Sequence, residues 1–199
     1  MKTIFAVLVA AALAFPRAAY SQDEAGPVIV GVRAVVALGT QDLRVDGLEA
    51  APGFGLGGIA TYRVTDEFHA GVAVNWSHQD MDLGPTTIGT LDAVTLLGQA
   101  EYHLEAGRGG SPYGFLGAGV NFNEASYTAA QESGCGCAID ADPSFAFRAG
   151  LGWDQWVSEA VALNLEAGWT LNAARARDTG TFDFEASSFS VLIGMRLRP

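Results

Sequence analysis

Lysine is nearly absent from this chain. Lys2 is the only one, so every later cation is an arginine. The formal net charge of -11 argues against nucleic acid as a partner. No stretch reaches the roughly 18 continuous apolar residues that a transmembrane helix needs, so a helical span is excluded. No Gly-x-Ser-x-Gly motif occurs, and none of His69, His78 and His103 lies beside a serine and an acid in a triad arrangement. An enzyme is therefore not expected, no catalytic residue is assigned, and no metal ligand or cofactor either. His78 with Asp80 and Asp82 forms at most a weak metal or catalytic cluster in a solvated loop. Glycine, in contrast, is plentiful at 25 residues with no G-x-y period, which points to crowded strands rather than collagen.

The chain starts with Lys2, an apolar run from Ile4 to Ala14, and small residues at Ala19 and Ser21. Those are the parts of a secretory signal peptide, so residues 1–21 are expected to be removed and 22–199 to form one exported domain. Within that domain the apolar residues recur with a period of two rather than about 3.6. Eight strands follow: Val28 to Leu38, Phe54 to Arg63, Phe68 to Ser77, Asp92 to His103, Tyr113 to Asn123, Phe145 to Asp154, Val161 to Asn172 and Ser188 to Leu197. Each is close to the roughly 9 to 11 residues that a tilted strand needs to cross a bilayer. Their connectors alternate between short (Val64 to Glu67, Leu104 to Pro112, Gln155 to Ala160) and long (Gly39 to Gly53, His78 to Leu91, Glu124 to Ser144, Ala173 to Ser187). Short periplasmic turns and long outer loops are the habit of bacterial outer-membrane barrels. The expected fold is all-β, an eight-stranded antiparallel up-and-down transmembrane β-barrel in the bacterial outer membrane.

Alternation alone leaves a soluble barrel open, with the apolar face inside. The second face decides against it. One face carries no charge beyond Asp92 at the very start of its strand; the other holds many glycines and as charges only Arg33, Arg63, Glu101, Arg148, Asp154, Glu166 and Arg196. A water-exposed surface carries about 25 to 35% charged residues and few glycines. The uncharged face therefore meets lipid, and the glycine-rich face meets a narrow lumen. Aromatic residues agree, with Tyr62, Phe68, Tyr102, Trp153 and Trp156 at the turn ends and Trp76, Phe122, Phe145, Trp169 and Phe189 at the loop ends.

The run Ala93-Val94-Thr95-Leu96-Leu97-Gly98-Gln99-Ala100-Glu101-Tyr102-His103-Leu104, followed by Ser111-Pro112-Tyr113-Gly114-Phe115-Leu116-Gly117-Ala118-Gly119-Val120-Asn121-Phe122, resembles the fourth and fifth strands of the OmpW family of outer-membrane proteins. The Tyr-His pair before the turn and the Pro-Tyr-x-x-x-Gly-x-Gly-x-Asn-aromatic run after it carry the likeness. The resemblance implies passage or binding of small hydrophobic molecules through an apolar upper lumen. Val35, Ala37, Ile59, Leu97 and Leu192, with Phe115, are the inward apolar positions that such a path would use, and packing is their other reading.

Side chains nearly fill the lumen of an eight-stranded barrel, which disfavours a wide pore. The inward charges almost balance and must pair or meet water. Arg33 and Glu166 sit at similar depth on strands separated only by the last one, so they are expected to pair, with Arg148 a further inward charge. Cys135-Gly136-Cys137 falls in the third outer loop. A strained disulfide, two free thiols and a metal or redox site all stay open there. The outer loops are acidic (Asp42, Asp46, Glu49, Asp80, Asp82, Asp140, Asp142, Asp178, Asp183, Glu185), which suits either solubility or divalent cations shared with lipopolysaccharide phosphates. The expected protein is a monomer among outer-membrane lipid and lipopolysaccharide, acting as a narrow conduit or binding site for small hydrophobic molecules. The alternative is a structural or surface-interaction barrel without transport.

Overall fold

A computed structural model describes residues 28–39, 48–104, 109–127, 140–141, 143–177, 181–185 and 187–199. The segment read as a signal peptide, Cys135 and Cys137 lie outside the described residues. In chain order the strands are β1 (Val28–Gly39), β2 (Leu48–Ala50), β3 (Gly53–Arg63), β4 (Phe68–Leu83), β5 (Thr86–His103), β6 (Gly110–Tyr127), β7 (Asp140–Ala141), β8 (Ser144–Trp156), β9 (Val161–Arg177), β10 (Thr181–Glu185) and β11 (Ser188–Leu197). The wall runs β1-β3-β4-β5-β6-β8-β9-β11, each strand antiparallel to the next, and β11 pairs back onto β1. The result is a closed eight-stranded barrel. Closure matters because an open edge would leave unpaired amides in hydrocarbon. β2 lies beside β4, and β7 and β10 lie beside β9, all at the loop end.

Burial follows the sequence alternation. Along β9, Ala162, Asn164, Glu166, Gly168 and Asn172 are buried, while Leu163, Leu165, Trp169 and Leu171 are exposed. Ile193 is 62% exposed and Leu165 49%, whereas Glu166 is fully buried. The apolar side chains thus point out of the barrel and the polar ones inward, the inverse of a water-soluble core. Tyr62, Phe68, Tyr102 and Trp153 are exposed near the turns, and Phe122, Phe145 and Trp169 near the loops.

Two of the short turns use one device. In Val64-Thr65-Asp66-Glu67 the Thr65 hydroxyl accepts the Phe68 amide at 3.0 Å, while the Val64 amide donates to the Phe68 carbonyl at 2.9 Å. In Val157-Ser158-Glu159-Ala160 the Ser158 hydroxyl accepts the Val161 amide at 3.1 Å, and the Val157 amide donates to the Val161 carbonyl at 2.9 Å. Each hydroxyl stands in for a backbone partner and fixes the register of its hairpin.

The connector read from the sequence as a loop from His78 to Leu91 is instead mostly strand, and this is the main correction to the expected elements. β4 runs to Leu83, the chain turns at Gly84-Pro85 with Gly84 at φ 59°, and β5 starts at Thr86. The alternation continues through the charges, interrupted by a register shift between Met81 and Asp82: Gln79, Met81, Ile88 and Leu91 are buried, and His78, Asp80, Asp82 and Asp92 point outward. Above the bilayer the outward face meets water, so charge there no longer argues against a strand. β6 and β9 extend past their expected ends in the same way.

A cation on the lipid face should be costly only at bilayer depth. Leu165→Arg is expected to destabilise the barrel by about 2 to 4 kcal/mol in reversible denaturant unfolding from lipid vesicles. Glu159→Arg, in an exposed turn, should stay within about 0.5 kcal/mol of the parent chain.

Candidate functional site

Six of the seven inward charges meet in one place, and Arg63, half-buried at the turn end of β3, is not among them. Arg33 Nη1 donates to Glu166 Oε1 at 2.5 Å, Arg148 Nη1 to Glu166 Oε2 at 3.0 Å, and Arg196 Nη2 to Glu166 Oε1 at 3.0 Å. The expected Arg33–Glu166 pair is therefore a direct contact, and two further arginines share the same carboxylate. The Tyr113 hydroxyl donates to Glu166 Oε1 at 2.8 Å and itself accepts from Arg196 Nη2 and Asn164 Nδ2, each at 2.7 Å. Asn164 Nδ2 also reaches Asp154 Oδ1 at 2.7 Å, and Arg33 Nη2 reaches Asn75 at 3.2 Å.

A second carboxylate extends the cluster toward the turns. Arg196 grips Glu101 with both terminal nitrogens, at 2.7 and 3.0 Å, and lies 3.4 Å from Asp154. Gln99 Nε2 donates to Glu101 Oε1 at 2.8 Å, and His103 Nε2 lies 3.0 Å from Glu101 Oε2. The Arg196 guanidinium also lies 4.7 Å from the centre of the Tyr113 ring, and that of Arg148 lies 4.5 Å from Phe115. Arg33, Arg148, Arg196, Glu101, Asp154 and Glu166 are all at most 2% exposed. Three arginines face three carboxylates, which is how buried charge is tolerated.

Glycines make the room. A Cβ on Gly152 would strike the Tyr113 ring, and one on Gly150 or Gly168 would come within 2.6 or 2.8 Å of Phe115 Cζ. The two aromatics therefore lie across the lumen over strands that have no side chain beneath them.

Val35, Ile59, Leu97, Phe115 and Leu192 are all buried inside the barrel, at most 5% exposed. A cavity of about 50 Å³ on the loop side of the charges is lined by Asn75, Ser77, Gln79, Leu91, Ala93, Thr95, Asn121, Arg148, Thr170, Asn172, Ser188 and Ser190. None of the apolar positions expected along an upper path lines it, and its lining is mostly amides and hydroxyls, with Leu91, Ala93 and Arg148 among them. Amides and hydroxyls there bond one another: Thr95 to Asn121 at 2.6 Å, Asn121 to Asn123 at 2.7 Å and Ser144 to Asn172 at 2.5 Å.

Sequence reasoning named Glu101, Asp154 and Arg196 as inward charges without joining them, and it missed Tyr113, Asn164 and Gln99 as partners. It also assigned no metal ligand, whereas the structure gathers His69, Glu101 and His103 at the turn end, all buried. His78 meets neither Asp80 nor Asp82 but Asp92, whose Oδ1 lies 3.1 Å from His78 Nδ1 and accepts Trp76 Nε1 at 3.1 Å. Inward position was readable from parity, but partners across the lumen depend on the stagger of all eight strands.

Removing the charge that three arginines share should be severe. Glu166→Gln is expected to lose about 3 to 5 kcal/mol in the same unfolding measurement, because it leaves buried cations uncompensated.

Several solved structures share this architecture. OprG from Pseudomonas aeruginosa superposes with a TM-score of 0.66 at 16% identity, over 88% of this chain and 98% of that one. Neisserial surface protein A gives 0.58 at 19% identity, over 87% and 98%. Outer membrane protein W from E. coli gives 0.56 at 15% identity, over 89% and 100%. At such identities the likeness concerns the fold. No curated protein matches the sequence. The model of the outer membrane protein beta-barrel domain matches residues 5–197, nearly the whole chain. With its closed wall, lipid-facing apolar side chains and polar filled interior, the chain belongs to the outer membrane protein β-barrel domain family.

Proposed function

We propose that the protein is an exported outer-membrane barrel that binds small molecules at its loop-side mouth and does not pass them along its axis. The observation that carries this reading is the charged cluster around Glu166, which spans the lumen with fully buried side chains. An axial path would have to separate three arginines from three carboxylates in a low-dielectric interior. Above the cluster, amide and hydroxyl groups with Arg148 among them offer hydrogen bonds to a ligand's polar head. The OmpW-like runs Ala93 to Leu104 and Ser111 to Phe122 support a hydrophobic body for that ligand. The substrate class that fits both is a small amphipathic molecule, such as a medium-chain alcohol or acid. Export rests on the apolar start of the sequence, and the lipid-facing wall would be in contact with outer-membrane lipid and lipopolysaccharide.

A structural barrel that presents its loops without a ligand is the second reading, and the size of the cavity favours it. About 50 Å³ is small beside the roughly 300 to 1,000 Å³ of ordinary ligand pockets. A hydrolase has less support, since His78 hydrogen-bonds only Asp92 among the described residues.

Two measurements separate these readings. In planar bilayers the protein should give no conductance steps, and regular steps at low protein load would sink the closed-axis reading. In lipid nanodiscs, medium-chain alcohols should raise the thermal midpoint, as any ligand of the native state does. That rise should vanish in Ser190→Phe, which fills the cavity. If no such compound moves the midpoint of the parent chain, the structural barrel stands instead.

A further inference from the structure

We propose that His69, Glu101 and His103 form a binding site for a late first-row divalent metal ion, zinc being the representative, at the turn end of the lumen. His69 is the second residue of β4 and His103 the last of β5, and the ladder sets His69 directly opposite Glu101. All three side chains point inward and are buried. Their donor atoms lie within 4.8 Å of one another. Two imidazoles and a carboxylate are a donor set that zinc takes, with a fourth position left for water.

Two of the three donors already stand at about the right separation. His103 Nε2 lies 3.0 Å from Glu101 Oε2. Metal–ligand bonds of about 2.0 to 2.1 Å at tetrahedral angles put neighbouring donors about 3.3 Å apart. An ion can thus take the place of the proton between these atoms with a shift of a few tenths of an ångström. The outer partners that orient such ligands are also present. Ser111 Oγ lies 3.1 Å from His103 Nδ1, which leaves Nε2 for the ion, and Gln99 Nε2 holds Glu101 Oε1 at 2.8 Å.

His69 supplies an independent indication. It is 3% exposed, yet neither ring nitrogen has a hydrogen-bond partner among the described residues. Burying an imidazole with both nitrogens idle is costly, and native interiors rarely keep such a group. Its ring centre lies 4.1 Å from that of His103, so a turn of an imidazole that no hydrogen bond restrains brings it to the same ion. Arg196 contacts Glu101 too, but it also contacts Asp154 and Glu166, so its charge does not depend on Glu101 alone. The ion would pin β4 to β5 just below the charged cluster and close the mouth on that side.

The test uses the full chain carrying Cys135→Ser and Cys137→Ser, so that no thiol contributes, folded in micelles and stripped with a chelator. Titration calorimetry with Zn²⁺ should give one ion per chain with a Kd of about 10 μM or tighter. His69→Ala should weaken this by about 100-fold, and His78→Ala, on the outer surface, should leave it unchanged. Co²⁺ should give visible absorption bands with the parent chain and lose them with His69→Ala. Folding is checked by heat-dependent gel migration, and His69→Gln replaces His69→Ala if the latter does not fold. Weaker or non-stoichiometric Zn²⁺ binding by the parent chain overturns the proposal. So does unchanged binding by a folded His69 variant, or loss of binding in His78→Ala.

Discussion

One carboxylate organises the interior. Glu166 on β9 receives arginines from β1, β8 and β11 and a tyrosine from β6, so five of the eight wall strands meet at one side chain. A barrel of this size has no space for a hydration shell around separate charges, and its outer face is committed to lipid. Charge inside must be neutralised by charge inside, and the cluster around Glu166 is the form that this takes. The glycines opposite Tyr113 and Phe115 are part of the same solution, because the aromatic rings can lie between the arginines only where the facing strands carry no side chain.

The same constraint divides the molecule by depth. Toward the turns the lumen is packed with ion pairs and histidines; toward the loops it is lined by amides and hydroxyls around a small cavity. Val35, Ile59, Leu97 and Leu192 lie among the fully packed side chains rather than along an open path. Among the described residues, the loop side of the lumen is therefore a small polar cavity above a packed charged cluster.

Period-two alternation made the wall legible from the sequence, because lipid and lumen demand opposite side chains at alternate residues. β1, β3 and β11 begin and end within one residue of expectation for that reason. The extension of β4 and β5 to Gly84 was hidden by Asp80, Asp82 and Asp92, which resemble loop residues until one sees that the sheet continues into water. Missing that turn also hid the register that puts His69 opposite Glu101. Arg33 and Glu166 could be paired in advance because only β11 separates their strands. Glu101 and Arg196 could not, since β5 and β11 stand on opposite sides of the barrel and meet only across its full width.

That transverse contact has a consequence for how the protein is made. Arg196 lies on the last strand, and each of its partners, Glu101, Tyr113, Asp154 and Glu166, lies on a strand synthesised earlier. Until β11 joins β1, those carboxylates have no guanidinium from this side and the interior carries uncompensated negative charge. The final seam therefore completes the hydrogen-bond ladder and brings in Arg196, the guanidinium that Glu101 and Asp154 share, in one event.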